Sequence, residues 1–200
     1  MDRVIDTDDR LLELMASVIA ILTVPAPRET DALAVPIGQG EEWRLSHAIQ
    51  LWETSPHIRH LLIANGNPAE RTYTDLTPAY LRSLGLRRLD GVQVQPEPAP
   101  NTGLQATWIA TQASRLEIEH LGLVVTPYHL PRVFLTVLKA LRTPVRLHPV
   151  PVPVPPGEKI PETGATSYDL VPGEMLRILD YAGQGWLATP AELREYLMAR

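Results

Sequence analysis

The sequence predicts an α/β protein in which a parallel sheet of about five strands lies between two layers of helices. Short apolar runs alternate with longer segments of helical periodicity between residues 31 and 150, and this alternation is typical of parallel three-layer folds. The run from Leu121 to Val125 is apolar apart from one glycine, as expected of a strand buried on both faces. A length of 200 residues, 44% of them hydrophobic, fits a single domain over residues 1–200.

The chain begins with a predicted helix, followed by the first strand. Apolar residues recur at helical spacing over residues 8–22, which predicts an amphipathic N-terminal helix packed on the domain. Residues 31–37 are predicted as strand one, and the glycine turn at 38–40 ends it, although Pro36 is unfavourable in a central strand. Residues 41–54 follow as a helix.

The middle of the chain continues the alternation. Residues 61–64 are predicted as a second buried strand, and residues 92–95 alternate as a third. A helix is predicted between them at 74–84, where a glycine stops it. The next helix is predicted to run from a cap at Asn101 or Thr102 to about residue 118.

The last part of the chain completes the sheet and closes the domain. Residues 121–125 are predicted as strand four, a helix begins near His129, and residues 144–150 form strand five, which completes the core at 31–150. Alternating Pro and Val over residues 149–156 predict an extended segment that leaves the sheet. Residues 151–200 therefore contain a proline-rich segment and closing helices. These helices are predicted at 171–181 and 190–199, with Pro172 and Pro190 in their first turns.

Composition excludes several function classes. The formal net charge of −5 argues against a nucleic-acid partner, and the absence of cysteine excludes disulfides, thiolate zinc sites and a cysteine nucleophile. The longest apolar stretch, residues 11–24, is interrupted by Glu13 and is shorter than the roughly 20 residues that a membrane span needs. We therefore expect a cytoplasmic monomer or homodimer with no membrane partner and no structural metal.

Polar residues crowd the point where the predicted fourth strand runs into its helix. Thr126, Tyr128, His129 and Arg132 all lie there, and the carboxyl ends of parallel strands are where open α/β sheets bind ligands. His129 falls in the first helical turn, where the positive end of the helix dipole favours a neutral imidazole that can act as acid or base. Arg132 lies one turn further on and suits a carboxylate or phosphate. His129 and Arg132 are the predicted catalytic residues.

Other candidate residues follow the earlier strands, and each has a structural alternative. The turn of Gly38, Gln39 and Gly40 lets a backbone approach a ligand, although glycine turns after strands are common. Arg44 near a positive helix end indicates an anionic partner, or a salt bridge with Glu41 or Asp31. Further candidates are Asn101 and Thr102, which are alternatively a plain helix cap, and Glu70, a loop acid that would support the residues in contact with the ligand, with Asp75 as its alternative.

Three motifs in this order resemble the YdcF/SanA/ElyC-like family of bacterial proteins: a first strand ending in glycine turns, an Asn-Thr helix start, and a Tyr-His-x-Pro-Arg turn. The resemblance covers roughly residues 31–150, and the short N-terminal helix is similar to the soluble YdcF branch. It implies a Rossmann-like sheet of order 3-2-1-4-5 with a polar cleft between strands one and four. It also implies binding of S-adenosylmethionine or a role in cell-envelope metabolism.

The resemblance carries over to individual positions. Matching residues are Gly38, Gly40, Arg44, Gly66, Glu70, Asn101, Thr102, Thr126, Tyr128, His129 and Arg132. Departures occur at Asn65, where the family has the first residue of a double glycine, and at Leu104 and Gln105, where it has Glu-Asn. Pro100 replaces a serine and Val125 replaces a threonine.

Three functions stay open at this point. The first is an enzyme that binds a small anionic metabolite, nucleotide-type or phosphorylated, and catalyses hydrolysis or group transfer with His129 as acid or base. The second is a non-catalytic module that binds S-adenosylmethionine or a related adenosyl compound in the same cleft. In both cases Asn65 and Gly66 are among the predicted ligand-binding residues. The third is a structural partner protein, which would expose apolar surface on its C-terminal helices.

Overall fold

The computed structural model describes residues 7–25 and 30–199. Within these ranges the chain forms seven helices and five strands. In chain order they are α1 (Thr7–Leu22), β1 (Ala32–Pro36), α2 (Glu42–Thr54), β2 (His60–Ala64), α3 (Pro78–Ser83), β3 (Val92–Val94), α4 (Thr102–Arg115), β4 (His120–Val125), α5 (Leu130–Ala140), β5 (Arg146–Pro151), α6 (Ser167–Gly183) and α7 (Pro190–Met198).

The sheet confirms the predicted α/β fold, since all five strands are parallel in the order β3-β2-β1-β4-β5. Strand β1 pairs with β2 along its whole length, up to Pro36 opposite Ala64. Its pairing with β4 ends earlier, at Ala34 opposite Leu123. The two central strands therefore part before their carboxyl ends, which opens a crevice at the point where the strand order reverses.

Pro36 helps to explain why these strands part. The next residue, Ile37, donates its N–H to Ala64 O on the β2 side. Because successive N–H groups of a strand point to opposite neighbours, position 36 would donate to β4. Proline has no N–H to donate, so this residue, unfavourable in a fully paired central strand, is compatible with the end of the β1–β4 pairing.

Two apolar layers enclose the sheet. Successive residues of β1 alternate between them, with Ala34 facing α4 and α5 and Val35 facing α2 and α3. All five residues of β1 are buried, as expected for the central strand of a parallel sheet. The first layer also contains buried residues of α1, α6 and α7, so the C-terminal helices belong to the same packed unit.

The proline-rich segment departs from the prediction. Pro149, within the predicted fifth strand, pairs opposite Leu123, and Pro151, predicted to lie beyond that strand, does not leave the sheet but pairs opposite Val125 at the end of edge strand β5. Because Val152 donates its N–H to Val125 O, the even positions face β4 and the prolines fall where an N–H would face away from the sheet. An edge strand tolerates proline at those positions.

Three helix boundaries also differ from prediction. Helix α3 begins at Pro78 after its cap Thr77, so it is shorter than the predicted 74–84. Helix α6 begins at Ser167 with a capping box from Thr166, which places Pro172 inside the helix rather than in its first turn. Helix α4 ends at Arg115. The N-terminal helix, the start of α5 and Pro190 in the first turn of α7 are as predicted.

Two features bear on partners. Among the described residues, no helix combines the length and apolarity needed to cross a bilayer. Large apolar side chains are exposed on the closing helices, with Leu176 of α6 63% and Met198 of α7 81% exposed. This is the surface that the structural-partner alternative expects.

Candidate functional site

A cavity of about 170 Å³ lies at the carboxyl ends of β1 and β4. We call it the crevice. Eight of the predicted site residues line it: Gly38, Gln39, Arg44, Glu70, Asn101, Thr102, His129 and Arg132. A second cavity of the same volume is lined by Gly40 and Gly66 and shares Gly38 and Glu70 with the crevice. Asn65, Thr126 and Tyr128 line neither cavity.

The turn after β4 places His129 at the crevice. Thr126 is fully buried, and its carbonyl accepts the N–H groups of His129 and Leu130 at 3.0 and 3.1 Å. His129 is the residue that precedes the first turn of α5, but its side chain makes no capping hydrogen bond. The ring is therefore free to contact groups from other elements.

Those groups form what we call the Glu174 cluster: Thr102, His129, Arg132, Glu174 and Arg177. Arg132 donates to both carboxylate oxygens of Glu174, from Nε at 2.7 Å and from Nη2 at 3.2 Å. Its Nη1 donates to the Thr102 hydroxyl at 2.9 Å, and Arg177 Nη1 donates to Glu174 Oε1 at 2.5 Å. Arg132 thus ties α4, α5 and α6 together, and most of its N–H groups are used inside the protein.

Burial and charge set the protonation states in this cluster. Burial alone would raise the pKa of Glu174, but His129 and Arg132 outweigh it and hold that pKa well below its usual range. Burial, with the charge of Arg132, lowers the pKa of His129 to about 3 despite the opposing pull of Glu174. At neutral pH the pair is a carboxylate beside a neutral imidazole.

The position of the imidazole proton decides what His129 can do. Its Nδ1 lies 3.1 Å from Glu174 Oε2 and 3.0 Å from Arg132 Nη2. A proton on Nδ1 is donated to Glu174 and leaves Nε2 as a base, whereas a proton on Nε2 makes that atom a donor. Within residues 7–25 and 30–199, Nε2 has no hydrogen-bond partner, and the buried side chain of His129 lines the crevice.

A second buried group, the Arg44 cluster, consists of Glu41, Arg44, Thr126 and Tyr128. Arg44 forms an ion pair with Glu41 and donates from Nε to the Thr126 hydroxyl at 2.9 Å. The hydroxyls of Thr126 and Tyr128 donate to Glu41 at 2.6 and 3.1 Å. The salt-bridge alternative for Arg44 is thus present in the structure, and the side chains of Thr126 and Tyr128 serve this cluster.

The glycine turn is held by several neighbours. Gln39 has φ of 56°, an uncommon conformation for a non-glycine residue. Its N–H donates to Glu70 Oε2 at 2.6 Å, and its carbonyl accepts the N–H of Glu162 at 3.1 Å. A Cβ on Gly40 would lie 2.8 Å from the Thr72 side chain, so only glycine fits there.

Two further predicted residues have clear structural roles. Asn101 caps α4 by accepting the N–H of Leu104 at 3.0 Å, which is the helix-cap alternative. Asn65 donates its side-chain N–H to Gln95 O. Gln105, which was not predicted, donates to Ile37 O at 2.7 Å and Asn65 O at 2.9 Å and so joins the ends of β1 and β2.

No family model matches this chain, and none of the curated proteins matches it.

The acidic partner of the Glu174 cluster was missed from the sequence. Glu174 is fully buried, and the available signal was its position one helical turn before the buried Ile178 on α6. Glu41, by contrast, was one of the two salt-bridge partners considered for Arg44, and the structure shows this pair. Within the described ranges, no group of three or more acidic or histidine side chains could hold a metal ion.

Proposed function

We propose that the crevice binds the anionic group of a small nucleotide-type or phosphorylated metabolite and that His129 is the acid or base for its hydrolysis or transfer. The observation that carries this proposal is a buried, neutral His129 that lines the same cavity as Arg132 and Arg177 and whose Nε2 has no hydrogen-bond partner among the described residues. A carboxylate behind a histidine with one free nitrogen is the arrangement that general-base catalysis uses.

Further donors for an anion line the crevice. Arg177 is half exposed and uses only Nη1 for Glu174, so its remaining N–H groups can reach a ligand. At the start of α4, the N–H groups of Thr102 and Gly103 have no partner among the described residues. A helix N-terminus beside an arginine is a favourable place for phosphate or carboxylate.

The size of the crevice limits what enters it. At about 170 Å³ it is smaller than the roughly 300 Å³ at which pockets for whole drug-sized ligands begin. It therefore holds a head group, and the organic part of the ligand extends elsewhere. The second cavity, lined by Leu45, Tyr73 and Tyr80, offers apolar and aromatic surface for that part.

The chemistry of His129 follows from its charge balance. The imidazole is neutral at pH 7, because its pKa is lowered to about 3. An anion placed at Nε2 favours the imidazolium form and raises that pKa. Nε2 can then accept a proton from an attacking water or hydroxyl, while Glu174 stabilises the charge at Nδ1.

The second candidate is a non-catalytic module in the same crevice, for S-adenosylmethionine or a related adenosyl compound. The pKa of His129, about 3, is the observation that favours it, since a general base works best with a pKa near the operating pH. The methionine carboxylate would lie near Arg177 and the adenosyl part in the second cavity. We also propose, from the three ordered motifs alone, that the chain is a cytoplasmic YdcF-like protein.

A thermal-shift screen followed by one substitution tests these candidates. The screen covers nucleotides, adenosyl compounds, sugar phosphates and acyl phosphates, and any hit is then tested for turnover. His129→Asn keeps a donor at the position of Nδ1 but removes Nε2. The enzyme proposal predicts affinity within about threefold of wild type and loss of turnover, whereas the exposed His57→Asn changes neither. If the wild-type protein binds a compound without turning it over, only the non-catalytic candidate remains. If no compound in the screen binds, both candidates are contradicted.

A further inference from the structure

The carboxylate of Glu70 lies in the wall between the crevice and the second cavity. Its Oε2 accepts the Gln39 N–H at 2.6 Å. A Cβ atom built on Gly38 would lie 3.5 and 3.6 Å from the two carboxylate oxygens of Glu70. Because Gly38 has no side chain, the carboxylate packs directly against the main chain of the glycine turn.

The group held by this turn is itself an anion. Gln39 and Gly40 have consecutive positive φ angles of 56° and 70°, and turns of this kind direct N–H groups toward a concave anion site. The Gln39 N–H faces Glu70, and the Gly40 N–H has no partner among the described residues. The structure therefore shows a carboxylate in the position that a carboxylate or phosphate of a ligand could take.

Glu70 is the least compensated charge at the crevice. The other two carboxylates of the site, Glu41 and Glu174, are paired with arginines, but Glu70 forms no salt bridge within the described ranges. Arg44 attracts it at longer range and Glu162, in the segment between β5 and α6, repels it. Burial raises the pKa of Glu70 above its ordinary value.

The charges around the crevice indicate that the Glu70 carboxylate controls whether an anionic ligand is attracted. Three guanidinium groups, of Arg44, Arg132 and Arg177, line the crevice, and the three carboxylates of Glu41, Glu174 and Glu70 balance them. With Glu70 in place, the crevice carries no net positive charge to attract an anion. When this one carboxylate leaves or is protonated, the surroundings become cationic.

We propose that Glu70 is an internal competitor: its carboxylate occupies the anion position of the glycine turn in the free protein, and an anionic ligand binds in exchange for it. This inference rests on the proposed anion-binding function of the crevice and deepens it, because it defines the ligand group as a carboxylate-sized or phosphate-sized anion that takes the Gln39 N–H. Ligand binding then moves the loop that carries Glu70.

Titration calorimetry with inorganic phosphate at pH 7 tests the exchange in the full-length protein. Glu70→Gln removes the charge but keeps an oxygen that can accept the Gln39 N–H, so the turn stays supported. Glu70→Ala removes the charge and also frees that N–H. The matched control is Glu97→Gln, which removes one charge from an exposed position that lines neither cavity. Far-ultraviolet circular dichroism shows that each variant is folded.

The exchange predicts that phosphate binds most tightly to Glu70→Ala, less tightly to Glu70→Gln and most weakly to wild type. The expected gain is about tenfold for Glu70→Gln from the lost repulsion, with a further gain for Glu70→Ala and no change for Glu97→Gln. Equal gains in the two Glu70 variants would show repulsion without exchange and overturn the inference. Weaker binding by either variant would also overturn it, while leaving the anion site intact. Absence of phosphate binding in all four proteins would overturn both the inference and the anion site.

A pH series with inorganic sulfate, whose charge is constant over the range, gives a second readout. Under exchange, wild type binds sulfate more tightly as the pH falls from 7 to 5, because protonated Glu70 competes less well for the turn. The increase is smaller in Glu70→Gln. Identical pH profiles for the two proteins would contradict the exchange.

Discussion

The Arg44 cluster and the Glu174 cluster have similar chemistry but differ in how they are connected. Each is built on a buried arginine–glutamate pair with a threonine hydroxyl on the arginine. The Arg44 pair is local, because Glu41 and Arg44 are three positions apart in the chain, and the hydroxyls of this cluster donate to the same carboxylate. The Glu174 pair joins residues 42 apart and also holds His129.

This difference separates a structural network from a candidate catalytic one. In the Arg44 cluster the described hydrogen bonds satisfy the carboxylate from several sides, and its two hydroxyls face it rather than either cavity. In the Glu174 cluster His129 is bonded only through Nδ1, its Nε2 has no hydrogen-bond partner among the described residues, and its side chain lines the crevice. A buried charge pair alone therefore does not identify a candidate site; a histidine with a perturbed pKa that lines a cavity does.

The largest expected effect comes from removing the shared carboxylate. Glu174→Gln leaves Arg132 and Arg177 without their common anion, and the loss of one partner of a buried pair costs about 3–5 kcal/mol in the free energy of unfolding. Glu41→Gln leaves one arginine unpaired and is expected to cost less. Urea denaturation measures both, with the exposed pair partner Glu192→Gln as control at under about 1 kcal/mol. A smaller loss for Glu174→Gln than for Glu41→Gln would contradict the comparison.

The second-largest expected effect is a pH dependence of the free energy of unfolding that is caused by His129. The pKa of this residue is about 3 in the folded protein and about 6.5 when unfolded, so between these values the unfolded chain binds the extra proton. The contribution of His129 to the free energy of unfolding is fully present above pH 6.5. It is lost as the pH falls below that value, by up to about 1.4 kcal/mol per pH unit. Urea denaturation from pH 7 to 4.5 should show a steeper fall in wild type than in His129→Asn. Parallel curves would mean that the ring is not held neutral.

Replacing each threonine sharpens the contrast further. Thr126→Val removes a donor to Glu41 and an acceptor for Arg44, and Thr102→Val removes an acceptor for Arg132. Each loss leaves buried polar atoms unpaired and costs about 1–3 kcal/mol. We expect Thr102→Val also to weaken phosphate binding severalfold, since this residue lines the crevice, and Thr126→Val to leave it unchanged. Equal effects on binding, measured by calorimetry, would remove the distinction between the clusters.

The smallest expected effect on stability is at Arg177, whose side chain is 48% exposed. Arg177→Gln should lower the free energy of unfolding by less than about 1 kcal/mol. The same change should weaken phosphate binding about tenfold, because it removes a cation from the rim of the crevice. The exposed Arg146→Gln, on the edge strand, serves as the charge control. Unchanged phosphate affinity in Arg177→Gln would contradict the assigned anion position.

The parts of the fold that depend on local sequence were predictable. Apolar runs marked the strands, and the polar turn at Thr126 to Arg132 marked the crevice, because those signals lie within a few residues of each other. The partner of that turn was not predictable in the same way: Glu174 is 45 positions from His129 and lies in an ordinary amphipathic helix. The prediction for the prolines at the end of β5 was wrong because a proline is tolerated in a strand only where its missing N–H would not face a paired strand. Strand pairing sets that direction, and the local sequence does not show it.

The most direct test of the central claim is a ¹⁵N–¹H NMR spectrum of the histidine side chains, with His129 assigned by comparison with His129→Asn. The account predicts a neutral ring at pH 5 with its proton on Nδ1, and a change in the Nε2 resonance when inorganic phosphate is added. A ring that is protonated at pH 5, or an Nε2 resonance that does not respond to phosphate at saturating concentration, would contradict the account of His129 as an open base at an anion-binding crevice.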